Sequence, residues 1–137
     1  MIVLAIDPGR EKCGIAVIDS ETGVLVKEIT ASASIGQRVN TLYNTFKPNN
    51  VILGDGTNSR TILRVLDIYS QIKIELFDEK NSTMLARMRY FKDNPPKGLR
   101  KLIPITMQTP PVNIDDYAAI ILAESFIESL NPQNRLC

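Results

Sequence analysis

Residues 3–19 read VLAIDPGREKCGIAVID. An unbroken apolar run ends in Asp7, the chain turns at once through Pro8 and Gly9, and a second apolar run follows from Gly14 to Asp19. Continuous apolar residues over Ile2 to Ile6 predict a strand buried on both faces, as in the middle of a sheet. A carboxylate at the end of such a strand calls for a reason, because a buried charge needs a compensating partner.

Working outward, DSETG at 19–23 has turn chemistry, and VLVKEI at 24–29 predicts a third strand. Short links make these three an antiparallel meander. The period then changes. Ile35, Val39, Leu42, Tyr43 and Phe46 follow helical spacing up to Pro48. VILG at 51–54 is a short buried strand. Ile62, Val65, Leu66 and Tyr69 mark a second helix, and IKIELFDE at 72–79 a fifth strand. Asn81 or Ser82 caps a third helix whose apolar face is Met84, Leu85, Met88 and Phe91. DNPPKG at 93–98 breaks it, and residues 94–113 read as a long irregular crossing. A last helix starts near Asp115, buries Ala118, Ile121, Leu122 and Phe126, and ends by Pro132. The order predicts one compact α/β domain over residues 1–137, a mixed sheet with helices on both faces.

Composition narrows the chemistry. The chain holds 16 Lys and Arg against 15 Asp and Glu, so nucleic-acid binding must rest on a local patch rather than on overall charge. There is no histidine, which removes the usual base of a serine or cysteine hydrolase. Two distant cysteines, Cys13 and Cys137, make neither a disulfide framework nor a structural zinc site. Acid–base and metal chemistry must come from Asp, Glu, Lys, Tyr or water, and oxygen ligands favour Mg²⁺ or Mn²⁺. No apolar run is long enough for a membrane helix and no signal peptide is evident, so a cytoplasmic location away from any membrane is expected.

In an open α/β sheet, sites form at the carboxyl ends of parallel strands. Asp7 ends strand one, Asp78 and Glu79 end strand five, and Asp115 and Asp116 open the last helix. If strands one, four and five run parallel, these acids converge. Two like charges about 4 Å apart repel by roughly 4 kcal/mol at an effective dielectric near 20, so a triad of acids calls for a metal or a proton. Each acid alone has a plainer reading: Asp-Pro-Gly as a turn, Asp115 as a helix cap, Asp78 or Glu79 as a solvated strand end. Their agreement in position carries the metal-site reading, in which Gly9 lets a phosphate backbone come close.

AIDPGREKCGIAV at 5–17 resembles the first strand–turn–strand of the RuvX/YqgF family, within the RNase H-like superfamily that includes RuvC-type Holliday junction resolvases. FDEKNSTMLAR at 77–87 is similar to that family's Asp-Glu-Arg-x-(Ser/Thr)-Thr block, and NIDDYAAIILAESFI at 113–127 to its closing helix. The resemblance covers nearly the whole chain. It implies an RNase H-like five-stranded mixed sheet of order 3-2-1-4-5 flanked by helices, and a metal-dependent nuclease, described in the family as a Holliday junction resolvase or as processing the 5′ end of precursor 16S ribosomal RNA. The family's acids fall on Asp7, Glu79 and Asp115, which the resemblance makes the catalytic ligands of Mg²⁺ or Mn²⁺. Asp78 matches the acid before the family's Glu, and Asp116 a variable position. The chain departs from the pattern in three places. Lys80 stands where the family has Arg, GDGTNSR at 54–60 where it has Gly-x-Pro, and NPPKGLRKLIPITMQTPP at 94–111 has the look of a subgroup feature.

Between Lys80 and Lys101 seven bases face one acid, Asp93. Lys80, Arg87, Arg89, Lys97, Arg100 and Lys101, with Lys92 and with Arg10 and Lys12 in the first turn, are candidates for phosphate contacts to RNA or branched DNA; the plainer alternative is a solvated helix face. Cutting both strands of a junction favours a homodimer with two sites. A catalytically inactive nucleic-acid-binding module in ribosome assembly is the leading alternative. An actin-like phosphotransferase ranks lower, since two lobes do not fit in this length. LGDGTNSR at 53–60 lacks Walker or dinucleotide spacing, and Thr57, Asn58 and Ser59 read as turn and cap residues.

Overall fold

The computed structural model describes residues 1–56, 58–69, 71–78, 90–95 and 115–130. Its elements are β1 (Ile2–Asp7), β2 (Lys12–Asp19), β3 (Gly23–Ala31), a 3₁₀ turn (Ser32–Ser34), α1 (Ile35–Phe46), β4 (Asn50–Gly54), α2 (Ser59–Leu66), β5 (Ile74–Phe77) and α3 (Asp115–Ser129). Residues 90–93 are also helical. The strands form one sheet of order β3-β2-β1-β4-β5. β1 is antiparallel to β2 and β2 to β3, while β4 is parallel to β1 and β5 to β4.

β1 is central, and Val3, Leu4, Ala5 and Ile6 are all fully buried. Alternation splits them between two cores. Leu4 and Ile6, with Ile15, Val17, Val51 and Leu53, pack against Ile35, Val39 and Leu42 of α1 and Ile62 and Leu66 of α2. Val3 and Ala5, with Ala16, Ile18 and Ile52, pack against α3 through Ala119, Ile120, Leu122, Ala123 and Phe126. Alanines on both sides of this second interface let the helix lie close to β1 and β2.

Local devices hold the register. The Asn49 side chain accepts a bond from the Ile2 amide at 2.8 Å, and the Asn49 amide donates to the Ile2 carbonyl at 2.8 Å, which sets β4 beside β1. The Asp19 carboxylate accepts the Glu21 amide at 2.9 Å, and Gly23 takes a left-handed φ of +100°, closing the hairpin into β3. Val17 pairs with Val26 but Ile18 with Val24, so Leu25 is the extra residue of a bulge on the edge strand.

Several sequence expectations shift. β5 starts at Ile74 rather than Ile72, because its first partner on β4 is Val51. Ile72 instead donates its amide to Tyr69 in the preceding turn and is buried. β2 and β3 each extend beyond the expected ends, to Lys12 and Ala31, which pair with each other. α1 stops at Lys47, in a left-handed conformation with φ 49°, one residue before Pro48, its amide closing onto Tyr43. Tyr69 lies past the end of α2, yet it and Val65 approach Gly36, where a methyl group would come within 3.2 Å of both. α3 buries Tyr117, Ala119, Ile120 and Ala123 besides Ile121, Leu122 and Phe126, while Ala118 is only partly buried. A helix apolar on most sides shows little amphipathic period, so its core face could not be singled out. The expected third helix is described only at residues 90–93, with Phe91 buried; Asn81, Ser82, Met84, Leu85 and Met88 lie outside the described residues, as do Thr57, residues 96–114 and Cys137.

Candidate functional site at the carboxyl end of β1

On the face covered by α3, residues at the carboxyl ends of β1, β3, β4 and β5 and at the amino end of β2 form one row. Asp7 pairs with Gly14 of β2, and Gly14 with Ile29 of β3. On the other side Ile6 pairs with Leu53, which sets Asp7 beside Gly54, and Gly54 pairs with Phe77 of β5. Both sheet neighbours of Asp7 therefore lack side chains. Asp7 thus stands half-buried at the end of the central strand, with glycine backbone on either side of it in the sheet. Gly54 is itself enclosed, since a methyl group there would meet Pro8 Cδ at 3.3 Å and Leu122 Cδ2 at 3.4 Å. In LGDGTNSR, Gly54 faces Pro8 and α3, and the Ser59 hydroxyl donates to the Gly56 carbonyl at 2.8 Å. Asn58 precedes α2 without a side-chain cap bond.

The turn after Asp7 is fastened from a distance. The Ser32 hydroxyl donates to the Gly9 carbonyl at 3.0 Å, and the Ser32 amide to the Glu11 carbonyl at 2.8 Å. Cys13 Sγ lies 3.4 Å from Ser32 Oγ. Since the serine's one hydrogen is committed to Gly9, the buried free thiol is the donor. A methyl group on Gly9 would fall 2.1 Å from the carbonyl oxygen of Lys12, so the chain's own turn fills the space beside this glycine. Arg10 and Lys12 are exposed in this turn. Cys13 is buried on the α1 face, so alternation puts Lys12 on the face of Asp7.

At the start of α3 a second cluster joins three segments. Lys27 of β3 donates to Tyr117 Oη at 3.0 Å, and its ammonium lies 4.3 Å from the centre of that ring. Asn94 Nδ2 reaches the same hydroxyl at 3.4 Å, and the Tyr90 ring meets the Tyr117 ring edge-on at 5.6 Å. The bond to Tyr117 holds the Lys27 ammonium above the ordinary lysine range, partial burial opposes this, and the charges of Tyr117, Asp116 and Asp93 add to it.

Of the sequence candidates, Asp7, Arg10 and Lys12 are described in full. Asp115 is the first residue of α3, and its side chain lies outside the described residues, as do Glu79, Lys80, Arg87, Arg89, Lys97, Arg100 and Lys101. Asp78, directly after Phe77, and Lys92 are exposed. Among the described residues no group of three or more His, Cys, Asp or Glu lies close enough together to hold a metal. Also among them, no helix is long and apolar enough to cross a membrane. Sequence reading missed Ser32, Lys27, Asn94 and Tyr117 as parts of the site's surroundings. Ser32 meets Gly9 across 23 residues and Lys27 meets Tyr117 across 90, so no local pattern announces either contact.

No protein-family model and no curated protein matches this sequence. Solved structures do. RuvC of T. thermophilus in complex with a Holliday junction substrate is 13% identical with a TM-score of 0.60, over 95% of this chain and 96% of that one. The same organism's RuvC in another structure is 14% identical with a TM-score of 0.57, over 96% of this chain and 98% of that one. The Fowlpox virus resolvase, in complex with Holliday junction DNA, is 15% identical with a TM-score of 0.60, over 95% of this chain and 99% of that one. The chain therefore has the RuvC-like form of the RNase H-like fold, with the sheet order that the resemblance implied.

Proposed function

We propose that this chain is a metal-dependent nuclease of the RuvX/YqgF type that hydrolyses phosphodiester bonds in structured nucleic acid. The observation that carries the reading is Asp7, standing between Gly14 and Gly54 at the carboxyl end of the central strand of a resolvase-like fold. Asp7, Glu79 and Asp115 would hold Mg²⁺ or Mn²⁺. Their hard carboxylate oxygens suit such an ion, and neither sheet neighbour of Asp7 carries a side chain that would compete for it. The reading requires Glu79 to keep the alternation of β5, since a residue two positions past Phe77 shares its face, which is also that of Asp7.

A divalent ion bound there supplies an activated water and neutralises charge on the phosphodiester oxygens. The chain's own residues do the rest. β1 holds the backbone at Asp7 in place, because β2 pairs with it as far as Asp7 and β4 as far as Ile6. Lys12, on the same face, lowers the cost of bringing a phosphate toward clustered acids. Arg10, Lys80, Arg87, Arg89, Lys97, Arg100 and Lys101 bind the backbone of the substrate and orient it. Precursor 16S ribosomal RNA and a four-way DNA junction are the two substrates the reading names, and a homodimer with two sites suits the second.

A cleavage assay of the purified chain on both substrates, with and without Mn²⁺, tests this. Asp7→Asn keeps the side chain's shape and removes the charge a hard cation needs. It should abolish Mn²⁺-dependent cleavage while the melting temperature holds or rises, as repulsion among acids is relieved. Binding of both nucleic acids without cleavage of either, by the wild-type chain, would replace the nuclease by the binding module.

A further inference from the structure

We infer that Lys27, Tyr117 and Asn94 form a positioning cluster that fixes the start of α3, the helix whose first residue is Asp115. The inference rests on the reading above that Asp115 is a metal ligand.

The helix needs such a device. Beyond Tyr117 it packs on the sheet through Ala119, Ile120, Leu122, Ala123 and Phe126. Apolar contact is non-directional. Each residue of slip along a helix turns a side chain through about 100°, so a directional contact close to residue 115 sets its position more sharply than apolar packing alone. Tyr117, two residues on and 5% exposed, supplies one. Its hydroxyl accepts from Lys27 Nζ at 3.0 Å and from Asn94 Nδ2 at 3.4 Å, filling both lone pairs of one oxygen from two different segments. Asn94 is itself tied down, as its amide and its Nδ2 both donate to the Tyr90 carbonyl, at 2.8 and 3.1 Å. Tyr90 closes the arrangement ring against ring with Tyr117, 5.6 Å between centres. Lys27 stands on β3 opposite Ala16, which pairs with Ala5 of β1, so the anchor belongs to the same rigid sheet that carries Asp7. The cluster thus refers the start of α3 back to the strand that holds the first acid.

Residues that orient metal ligands commonly change metal affinity by ten- to a hundredfold when they are removed. The test is calorimetric titration of the full chain with Mn²⁺, with melting temperatures measured on the same preparations. Lys27→Met removes the donor and the charge. Tyr117→Phe removes the acceptor and keeps the ring contact with Tyr90. Each should weaken Mn²⁺ binding about tenfold in protein that is still folded at the titration temperature, and Lys27→Arg should restore most of the loss. Asp7→Asn is the reference that removes the charge of a ligand. If Lys27→Met and Tyr117→Phe bind Mn²⁺ as the wild type does while Asp7→Asn does not, the positioning role falls and the metal site stands. If both variants are unfolded, the cluster is structural only and the inference falls. If the wild type takes up no Mn²⁺, the metal-site reading falls and the positioning role goes with it.

Discussion

Gly9→Ala separates two explanations of the turn after Asp7. A methyl group at residue 9 would lie 2.1 Å from the Lys12 carbonyl oxygen, about 1 Å closer than an ordinary carbon–oxygen contact. The obstacle is backbone, so no rotamer change relieves it. Gly9 is not in the left-handed region, so alanine meets the collision rather than a forbidden φ. The turn must open by about 1 Å, which strains the packing by roughly 1–3 kcal/mol. It also stretches the bonds from Ser32 to Gly9 and Glu11, now 3.0 and 2.8 Å, each worth about 1 kcal/mol net. Against this, alanine stiffens the unfolded chain by about 0.4–1 kcal/mol. The net loss is about 2–3 kcal/mol, which for a domain of this size lowers the melting temperature by about 6–15 °C. Thermal unfolding followed by circular dichroism reads it directly. If Gly9 serves only to let a phosphate approach, the variant keeps the wild-type melting temperature and loses cleavage alone. A melting temperature within about 2 °C of wild type would refute the collision argument.

Three further measurements bear on the packing, the substrate contacts and the Lys27 cluster. Ala16→Leu adds bulk at a fully buried position where α3 lies against β2, and should cost about 1–3 kcal/mol in urea denaturation; an unchanged midpoint would mean that the helix is not held close there. Replacing Arg87, Arg89, Lys97 and Arg100 together by neutral residues should weaken nucleic-acid binding and flatten its dependence on salt, while Mn²⁺ uptake stays as in wild type; an unaltered salt slope would leave these bases as solvated surface. The raised affinity of Lys27 for its proton sets the sign of a pH effect. The folded state binds that proton more tightly than the unfolded chain, so the stabilisation is complete below the unfolded lysine value, about 10.4, and fades as pH rises through the folded value. The gap in melting temperature between wild type and Lys27→Met should therefore narrow at alkaline pH, and a gap that widens there would contradict the bond to Tyr117.

The order of elements and the sheet were legible because burial writes a period into the chain. Leu4 and Ile6 face one core and Val3 and Ala5 the other, so β1 is apolar at every position and could be read as central. Asp7 stood out for the same reason, as a charge where that run stops. Strand ends were less legible. β5 begins at Ile74, which pairs with Val51 of β4, while Ile72, just as apolar, packs in the turn instead. The face of α3 was illegible because the helix is apolar on most sides.

By itself, then, the sequence determined the five strands, the helices over residues 35–46, 59–66 and 115–129 and the acid that closes the first strand, since each depends on neighbours within a few residues. The tertiary structure alone decided what surrounds that acid. Gly14 and Gly54 become its neighbours only through strand pairing, Ser32 fastens its turn from 23 residues away, and Lys27 meets Tyr117 from 90. Glycine, serine and lysine are common residues with many ordinary uses. Their roles here come from distances in space, and a linear pattern does not record contacts made only when the sheet and α3 close together.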